Sequence, residues 1–262
     1  MVYATIYKKR GVGKLYKTTA ELKSEVKESL KGRWGEAITL SIVPIIVKIL
    51  TIWALIAASF LFGSVLYYVF GKTGISGVEQ FDLSGVSQND GNSNSPIITL
   101  FLNFIQLFLT VGISFTFLDV IRRGKSESMQ FKQAFRLFNG KDLGPVLLLN
   151  ILMYIFNNLW YWLFIIPGFI KSYSYSQANF IYKDLSENSD TTSVGPTYYI
   201  TESRHLMNGH KKRLFWLDIT FLGWYILSLV TFGLAEFFVT PYVTATKAAF
   251  YNDLAKDKYN RK

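Results

Sequence analysis

The sequence predicts an all-α protein: a polytopic transmembrane helix bundle of six spans, arranged as three helix-pair repeats with short amphipathic interfacial helices. Three observations predict it. Hydrophobic residues make up 50% of the chain and charged residues only 18%, below the usual quarter. The apolar residues gather into runs long enough to cross a hydrocarbon core of ~30 Å, which takes ~20 helical residues. Residues 137–185 also return, weakly, 69 positions later. Leu137-Phe138-Asn139-Gly140 corresponds to Leu206-Met207-Asn208-Gly209. Tyr173, Tyr182, Asp184 and Leu185 correspond to Tyr242, Tyr251, Asp253 and Leu254, with no gap. Self-similarity at a fixed period marks a repeat architecture.

The elements follow in order. A basic cytoplasmic extension (1–18) precedes one transmembrane domain (19–255), and 256–262 form a cytoplasmic tail. Thr18 and Glu21 make a capping-box pattern, and Leu22, Val26 and Leu30 form one stripe of a short amphipathic helix. The first apolar run, Ile38 to Phe70, is interrupted only by Pro44 and Lys48 and is far longer than a signal-peptide core. The loop over 71–95 is rich in Gly, Ser and Asn and reads as extracytoplasmic, without a core of its own. Pro96 to Ile121 is the second span, opened by a proline whose missing N–H costs nothing at a helix start.

Phe131, Phe135 and Phe138 form a second surface stripe, and Pro145 to Ile166 is the third span. Pro167-Gly168 turns the chain into a fourth, Phe169 to Leu185, diluted by Lys171, Gln177 and several serines. Tyr199, Ser203, Leu206 and Met207 make a third, weaker stripe before the fifth span, Leu214 to Thr231. Gly233 breaks that span, and Leu234 to Tyr251 is the sixth, with Glu236 near its start. The surface stripes are too short and charged to span and are expected along the cytoplasmic face, aromatics among the headgroups.

Charge sets the direction. Nine Lys and Arg lie in residues 1–35, six in 122–142, five in 183–213 and four in 252–262, whereas the 71–95 loop has only Lys72. Six crossings place all four basic clusters on the cytoplasmic side, as the positive-inside rule requires. Four crossings would put residues 183–213 or the C-terminus outside. The net charge of +10 is therefore read as topology and not as nucleic-acid binding.

The repeats run over about 19–121, 127–185 and 198–254. Gly140 to Asp184 and Gly209 to Asp253 are each 44 positions. A looser first copy runs from Lys31-Gly32 to Phe117-Leu118-Asp119, with 87 positions from Gly32 to Asp119 because of the long first run and its loop. Each glycine is expected to let the chain leave the surface plane and enter the bilayer.

Asp119, Asp184 and Asp253 end three helices at equivalent places, where an acid opposes the helix dipole and needs a partner. Arg33, Arg136 and Arg204, beside each breaker, are the nearest cations in the pattern, which suggests an inner-face charge ring. The plainer alternative is solvated interfacial charge. Lys48, Gln106, Asn150, Asn157, Asp218 and Glu236 are polar within or beside spans. Lys48 at mid-bilayer would cost ~2.5–3.5 kcal/mol, but it snorkels to the boundary if the span starts at Ile49. Asn150 and Asn157 share a helix face and either line a cavity or bond neighbouring helices. Tyr173, Tyr175 and Tyr182, with Ser172, Ser174 and Ser176, give the fourth span a small, polar face suited to close packing.

His205 and His210, five apart in a basic loop, lack a third ligand and read as part of a helix-entry hinge. Cysteine is absent, which excludes disulfides, thiolate metal sites and cysteine nucleophiles. No Walker loop, dinucleotide turn, nucleophile elbow or zinc-protease helix occurs. No catalytic residue, cofactor or metal is expected, and the chain is read as not an enzyme.

Leu30-Lys31-Gly32-Arg33-Trp34-Gly35 resembles the opening motif of the DUF975 family of uncharacterised bacterial membrane proteins. Residues Pro167-Gly168-Phe169-Ile170-Lys171-Ser172-Tyr173-Ser174-Tyr175-Ser176 resemble its central motif. Ser203-Arg204-His205-Leu206-Met207-Asn208-Gly209-His210-Lys211, Gly223-Trp224, Pro241-Tyr242 and Ala248-Ala249-Phe250-Tyr251-Asn252-Asp253-Leu254 resemble its C-terminal signature. The similarity covers roughly residues 19–255, and the basic stretch before Thr18 is no part of the family pattern. The resemblance implies a multi-pass plasma-membrane protein of Gram-positive-type bacteria and supplies no activity. The expected partners are the bilayer, anionic headgroups at the cytoplasmic face and an unidentified membrane protein. The alternative is a carrier or channel-like protein with a small-molecule or lipid path between the repeats.

Overall fold

The computed structural model describes residues 16–68, 96–188, 194–255 and 258. The 71–95 loop and most of both terminal segments lie outside them. Every regular element among the described residues is helical. The chain enters its first helix through side-chain chemistry. The Glu21 N–H donates to Thr18 Oγ1 at 3.3 Å while the Thr18 N–H donates to Glu21 Oε2 at 2.6 Å. This reciprocal box opens α1 (Thr19–Leu30) and satisfies two donors that a helix start leaves unpaired. Leu22, Val26 and Leu30 are buried, and α1 packs on the last helix of the chain. The stripe expected among headgroups is thus covered by protein.

Gly32, at φ +77°, ends that turn, and α2 (Trp34–Leu40) and α3 (Ile42–Leu66) follow with a break at Ser41. The chain resumes with α4 (Pro96–Arg123), then short 3-10 turns at Gly124–Ser126 and Phe131–Phe135. Next come α5 (Leu143–Leu163), α6 (Ile165–Tyr175), α7 (Ala178–Asn188) and α8 (Pro196–Leu206). The last three are α9 (Lys211–Ile219), α10 (Leu222–Val230) and α11 (Glu236–Ala255). Gly209 repeats the left-handed conformation of Gly32, at φ +79°. Gly140 does not. There Asn139 Oδ1 accepts the N–H groups of Lys141 (3.0 Å) and Asp142 (2.6 Å), so an Asx turn does the work given to glycine in the other two.

Among the described residues, four helices have the length and apolarity to cross a membrane: Ile42–Leu66, Asn103–Arg123, Leu143–Leu163 and the combined Lys211–Val230. The two remaining apolar segments of the sequence differ for physical reasons. The fourth breaks at Ser176-Gln177 into α6 and α7, where the Gln177 N–H leaves the helix to donate to Ser203 Oγ on α8 (3.1 Å). The sixth, α11, has 20 residues but carries Glu236, Lys247, Asp253 and three threonines. Its polarity is tolerated because α11 stands inside the protein, packed by α1, α2, α3, α4 and α10. Ala245, Ala248 and Ala249 are buried along it, small enough for neighbouring backbones to approach closely.

The opposite case is α3, of which 6% of the most apolar window is buried, against 61% for α4. The α5–α6 turn is also bare: Trp162 is 91% exposed, and Leu163, Phe164, Ile165 and Ile166 are exposed with it. So are Val230, Phe232 and Leu234 at the α10–α11 turn. Phe232 sits at φ +53°, and the Gly233 N–H reaches the Ser228 carbonyl at 2.7 Å, closing a Schellman cap. Apolar surface on this scale is not left to water by ordinary soluble proteins.

Close packing of α4 yields a prediction. A Cβ on Gly112 would stand 2.5 Å from the Ala134 carbonyl oxygen, a backbone atom that cannot swing away, whereas Gly144 on α5 faces open space. Gly112→Ala is expected to cost about 1–3 kcal/mol. It should lower the detergent melting temperature measured by circular dichroism, while Gly144→Ala leaves it unchanged or slightly raised.

Candidate functional site

The most unusual chemistry lies where the helices return. Asp119, Asp184 and Asp253 close α4, α7 and α11, and all three are buried. A buried carboxylate at a helix C-terminus faces both desolvation and the negative end of the dipole, so cations must reach it. Arg122, three residues past Asp119, spans the gap to α7 and grips Asp184 with two nitrogens, at 2.5 and 2.9 Å. This two-pronged arrangement is the strong form of a charge-assisted bond. The Tyr251 hydroxyl of α11 donates to the same carboxylate at 2.6 Å. Arg122 Nε donates to Asn252 Oδ1 at 3.0 Å. One guanidinium therefore joins the ends of α4, α7 and α11.

Asp119 accepts Arg136 at 2.6 Å and Lys183 at 2.6 Å. Lys183 is only 2% exposed and also donates to Glu187 at 2.7 Å. Asp253 accepts Arg213 Nη2 at 2.8 Å and the Lys17 backbone N–H at 3.1 Å, which ties α11 to the start of α9 and to the chain just before α1. Among the described residues, four acids (Asp119, Asp184, Asp253, Glu187) thus meet four bases (Arg122, Arg136, Lys183, Arg213). Tyr182, the counterpart of Tyr251, reaches Asp142 at 2.8 Å, so α7 is also held to the start of α5.

The arginines named from the sequence divide. Arg136 is on Asp119. Arg33 turns instead to Glu36 (2.8 Å) and the Glu127 carbonyl. Arg204 meets no acid among the described residues and lines a small cavity with Lys171, His205 and Lys211. Pairing by position beside the breaker glycine was therefore wrong for Arg33 and Arg204. The helix ends are bonded mainly to one another. The working cations Arg122 and Lys183 stand within and beside the repeated aromatic-x-Asp motif, which was the signal that could have found them.

The membrane-depth polar residues also find partners. Glu236, 4% exposed, accepts Thr240 Oγ1 at 2.6 Å, Ser228 Oγ at 3.0 Å and Lys48 Nζ at 3.3 Å. Lys48 donates as well to Thr240 at 3.0 Å, so its charge is answered on α11. Asn150 and Asn179 exchange bonds at 3.1 Å, joining α5 to α7. Asn157 is not brought to them, and its buried Oδ1 has no partner among the described residues. Asp218 accepts Tyr173 at 3.0 Å and pairs with Lys247 at 3.0 Å. Gln106 is half-buried on α4 and takes no part in these clusters. No group of three or more potential metal-ligating His, Cys, Asp or Glu occurs among the described residues.

His210 packs edge-on against Tyr16, with ring centroids 4.5 Å apart, beside Arg213. Burial first, and then the Arg213 guanidinium, push its imidazole below the ordinary value of 6.5, with Asp253 opposing.

Fold and site together define a class: an all-α protein carrying four helices able by length and apolarity to cross a membrane, with its charges gathered where helices end. The family described as protein of unknown function (DUF975) matches residues 15–171 and 163–258, and the chain belongs to that family. No curated protein and no solved structure matches it.

Two predictions follow from the knot and its neighbour. Asp184→Asn and Arg122→Gln each break a buried pair and should cost about 3–5 kcal/mol. The double variant should lose clearly less than the sum, and simple additivity of the detergent melts would refute the coupling. His210 is depressed in the folded state, so its stabilising contribution is present above about 6.5 and is lost as pH falls toward and through the folded value. Melting temperature should therefore drop as pH falls below about 6.5, and His210→Asn should flatten that part of the profile.

Proposed function

We propose that the chain is a non-enzymatic integral protein of the bacterial plasma membrane that binds anionic lipid, or a partner membrane complex, through its inner face. On this reading it crosses six times, as three helix pairs that enter and return at the knot, with both termini cytoplasmic. The pairs are α3 with α4, α5 with α6 and α7, and α9 and α10 with α11. The unequal forms of Gly32, Gly140 and Gly209 are then local solutions to one turn.

One observation carries the binding role. The knot uses its own cations internally, yet Lys27, Lys31, Lys132, Lys141 and Lys212, in the segments read as the inner face, remain exposed. Phe131, Phe135 and Phe138 are exposed among them, in mutual ring contact. Cations interleaved with exposed aromatics suit the headgroup zone, where each basic residue gains about 1 kcal/mol near an anionic leaflet. The closely packed centre along α11 supports a binding protein over a path between the repeats.

The absence of cysteine makes the test direct. Single variants Ser84→Cys, Asn208→Cys and Lys258→Cys are treated in intact cells with a membrane-impermeant maleimide. Ser84→Cys should label at once, and the other two only after permeabilisation. Exterior labelling of Asn208→Cys or Lys258→Cys would overturn the topology. Purified protein should also retain phosphatidylglycerol over phosphatidylcholine through a detergent wash, read by native mass spectrometry. Equal loss of both would remove the lipid branch.

A further inference from the structure

Arg204 is the cation that the knot leaves out. It lies at the end of α8, beside a cavity of about 280 Å³. Lys171 enters this cavity from α6, Arg204 and His205 from α8, and Lys211 from the first position of α9. Thr201 and Asn208 add neutral polar groups, and no carboxylate belongs to the lining. The acid nearest in sequence, Glu202, is drawn away to Lys258 at 2.6 Å. Like charges lining one cavity repel, and no acid among the described residues lines it to offset them. Lys211 also opens a helix of nine residues, so the cavity meets the positive end of a dipole with unpaired N–H groups.

Position adds a second requirement. Ile170, next to Lys171, is exposed, as are Phe169 and Phe215, whose rings touch at 6.1 Å. A ligand with a phosphate on the cations could lay an apolar tail along this surface without crossing polar groups. Lys171 itself rests over the Trp160 ring at 4.4 Å, which holds its ammonium at the boundary between the two zones.

We propose that the α6–α8–α9 cavity is a phosphate-binding site, occupied by the phosphate of an anionic lipid headgroup or by free phosphate. This rests on the inner-face lipid reading and gives that face one defined site. Arg204 supplies the planar fork suited to two phosphate oxygens, and Lys171 and Lys211 act as point charges beside it.

The test uses the full chain, purified in detergent, with thermal shift as the readout, since a ligand of the folded state raises the melting temperature by mass action. Phosphatidylglycerol, phosphatidylcholine and inorganic phosphate are titrated separately, with chloride at matched ionic strength as control. Saturable stabilisation by phosphatidylglycerol alone identifies the lipid, and by inorganic phosphate identifies the free anion. Arg204→Gln with Lys211→Gln should weaken the effective ligand by roughly tenfold or more, as expected for lost charge-assisted bonds. Arg123→Gln, an exposed cation paired with Glu127 and outside the cavity, should leave it unchanged. Both cavity variants alter side chains that make no hydrogen bond or ion pair among the described residues, so their unliganded melts should match the parent or rise slightly as the repulsion is relieved. If phosphatidylglycerol is bound but the double variant binds it equally well, the cavity is refuted and the inner-face reading stands. If neither anion stabilises the parent beyond chloride, the cavity falls; loss of phosphatidylglycerol retention in the wash is the separate result that removes the broader reading.

Discussion

Three carboxylates that end helices inside the protein impose the central constraint. Each would be expensive alone, because a buried charge at the negative end of a helix is opposed by solvent loss and by the dipole together. The chain answers with cations from neighbouring segments, so neutralising the acids also fixes where α4, α7 and α11 finish relative to one another. Arg122 is the clearest instance. Bonded to Asp184 and Asn252 at once, it cannot keep both partners unless three helix ends stay in register. Such a knot adds little net stability over well-packed apolar groups, but a misplaced helix end would leave a charge unpaired. Its main effect is on specificity of arrangement.

The rest of the molecule can then be apolar outside and polar within. α3 and the tips at Phe164 and Phe232 present large hydrophobic side chains outward. Inside, Lys48, Glu236, Thr240 and Ser228 satisfy one another. This inversion suits a lipid surrounding, in which a polar group is stable only where the protein supplies its partners. Between α4 and α5 the exposed surface is mixed, with Lys132 exposed beside the exposed Phe131, Phe135 and Phe138.

How much of this was legible in the sequence depends on the range of each interaction. The Thr18–Glu21 box and the Leu22, Val26, Leu30 stripe are local patterns, and they could be read directly. What covers the stripe could not, because a headgroup layer and a protein helix ask for the same apolar face. The three acids stood out through their repeated position. Their partners did not, since Arg122 and Asp184 are 62 residues apart and Lys183 and Asp119 are 64 apart. Of the arginines beside the breaker positions, Arg136 meets Asp119, Arg33 meets Glu36, and Arg204 meets no acid among the described residues. Arg122 and Lys183 had been counted only as topology-setting charges, which hid their second role.

Helix α11 shows why hydropathy ranks helices by their surroundings and not by their importance. It is among the most thoroughly buried elements, yet its threonines, Glu236, Lys247 and Asp253 keep it outside the composition of a lipid-facing span. A helix walled in by protein has no need to be soluble in hydrocarbon, only to have its polar groups answered. Thr246 bonds the carbonyl of Tyr242 at 2.7 Å, Glu236 is answered by Lys48, Ser228 and Thr240, and Asp253 by Arg213. Beyond Lys48, the outward-facing α3 carries no charged side chain, and it has the apolar composition that makes it obvious. The most apolar helix is therefore the least buried of the candidate spans, and the helix that organises the bundle falls outside them.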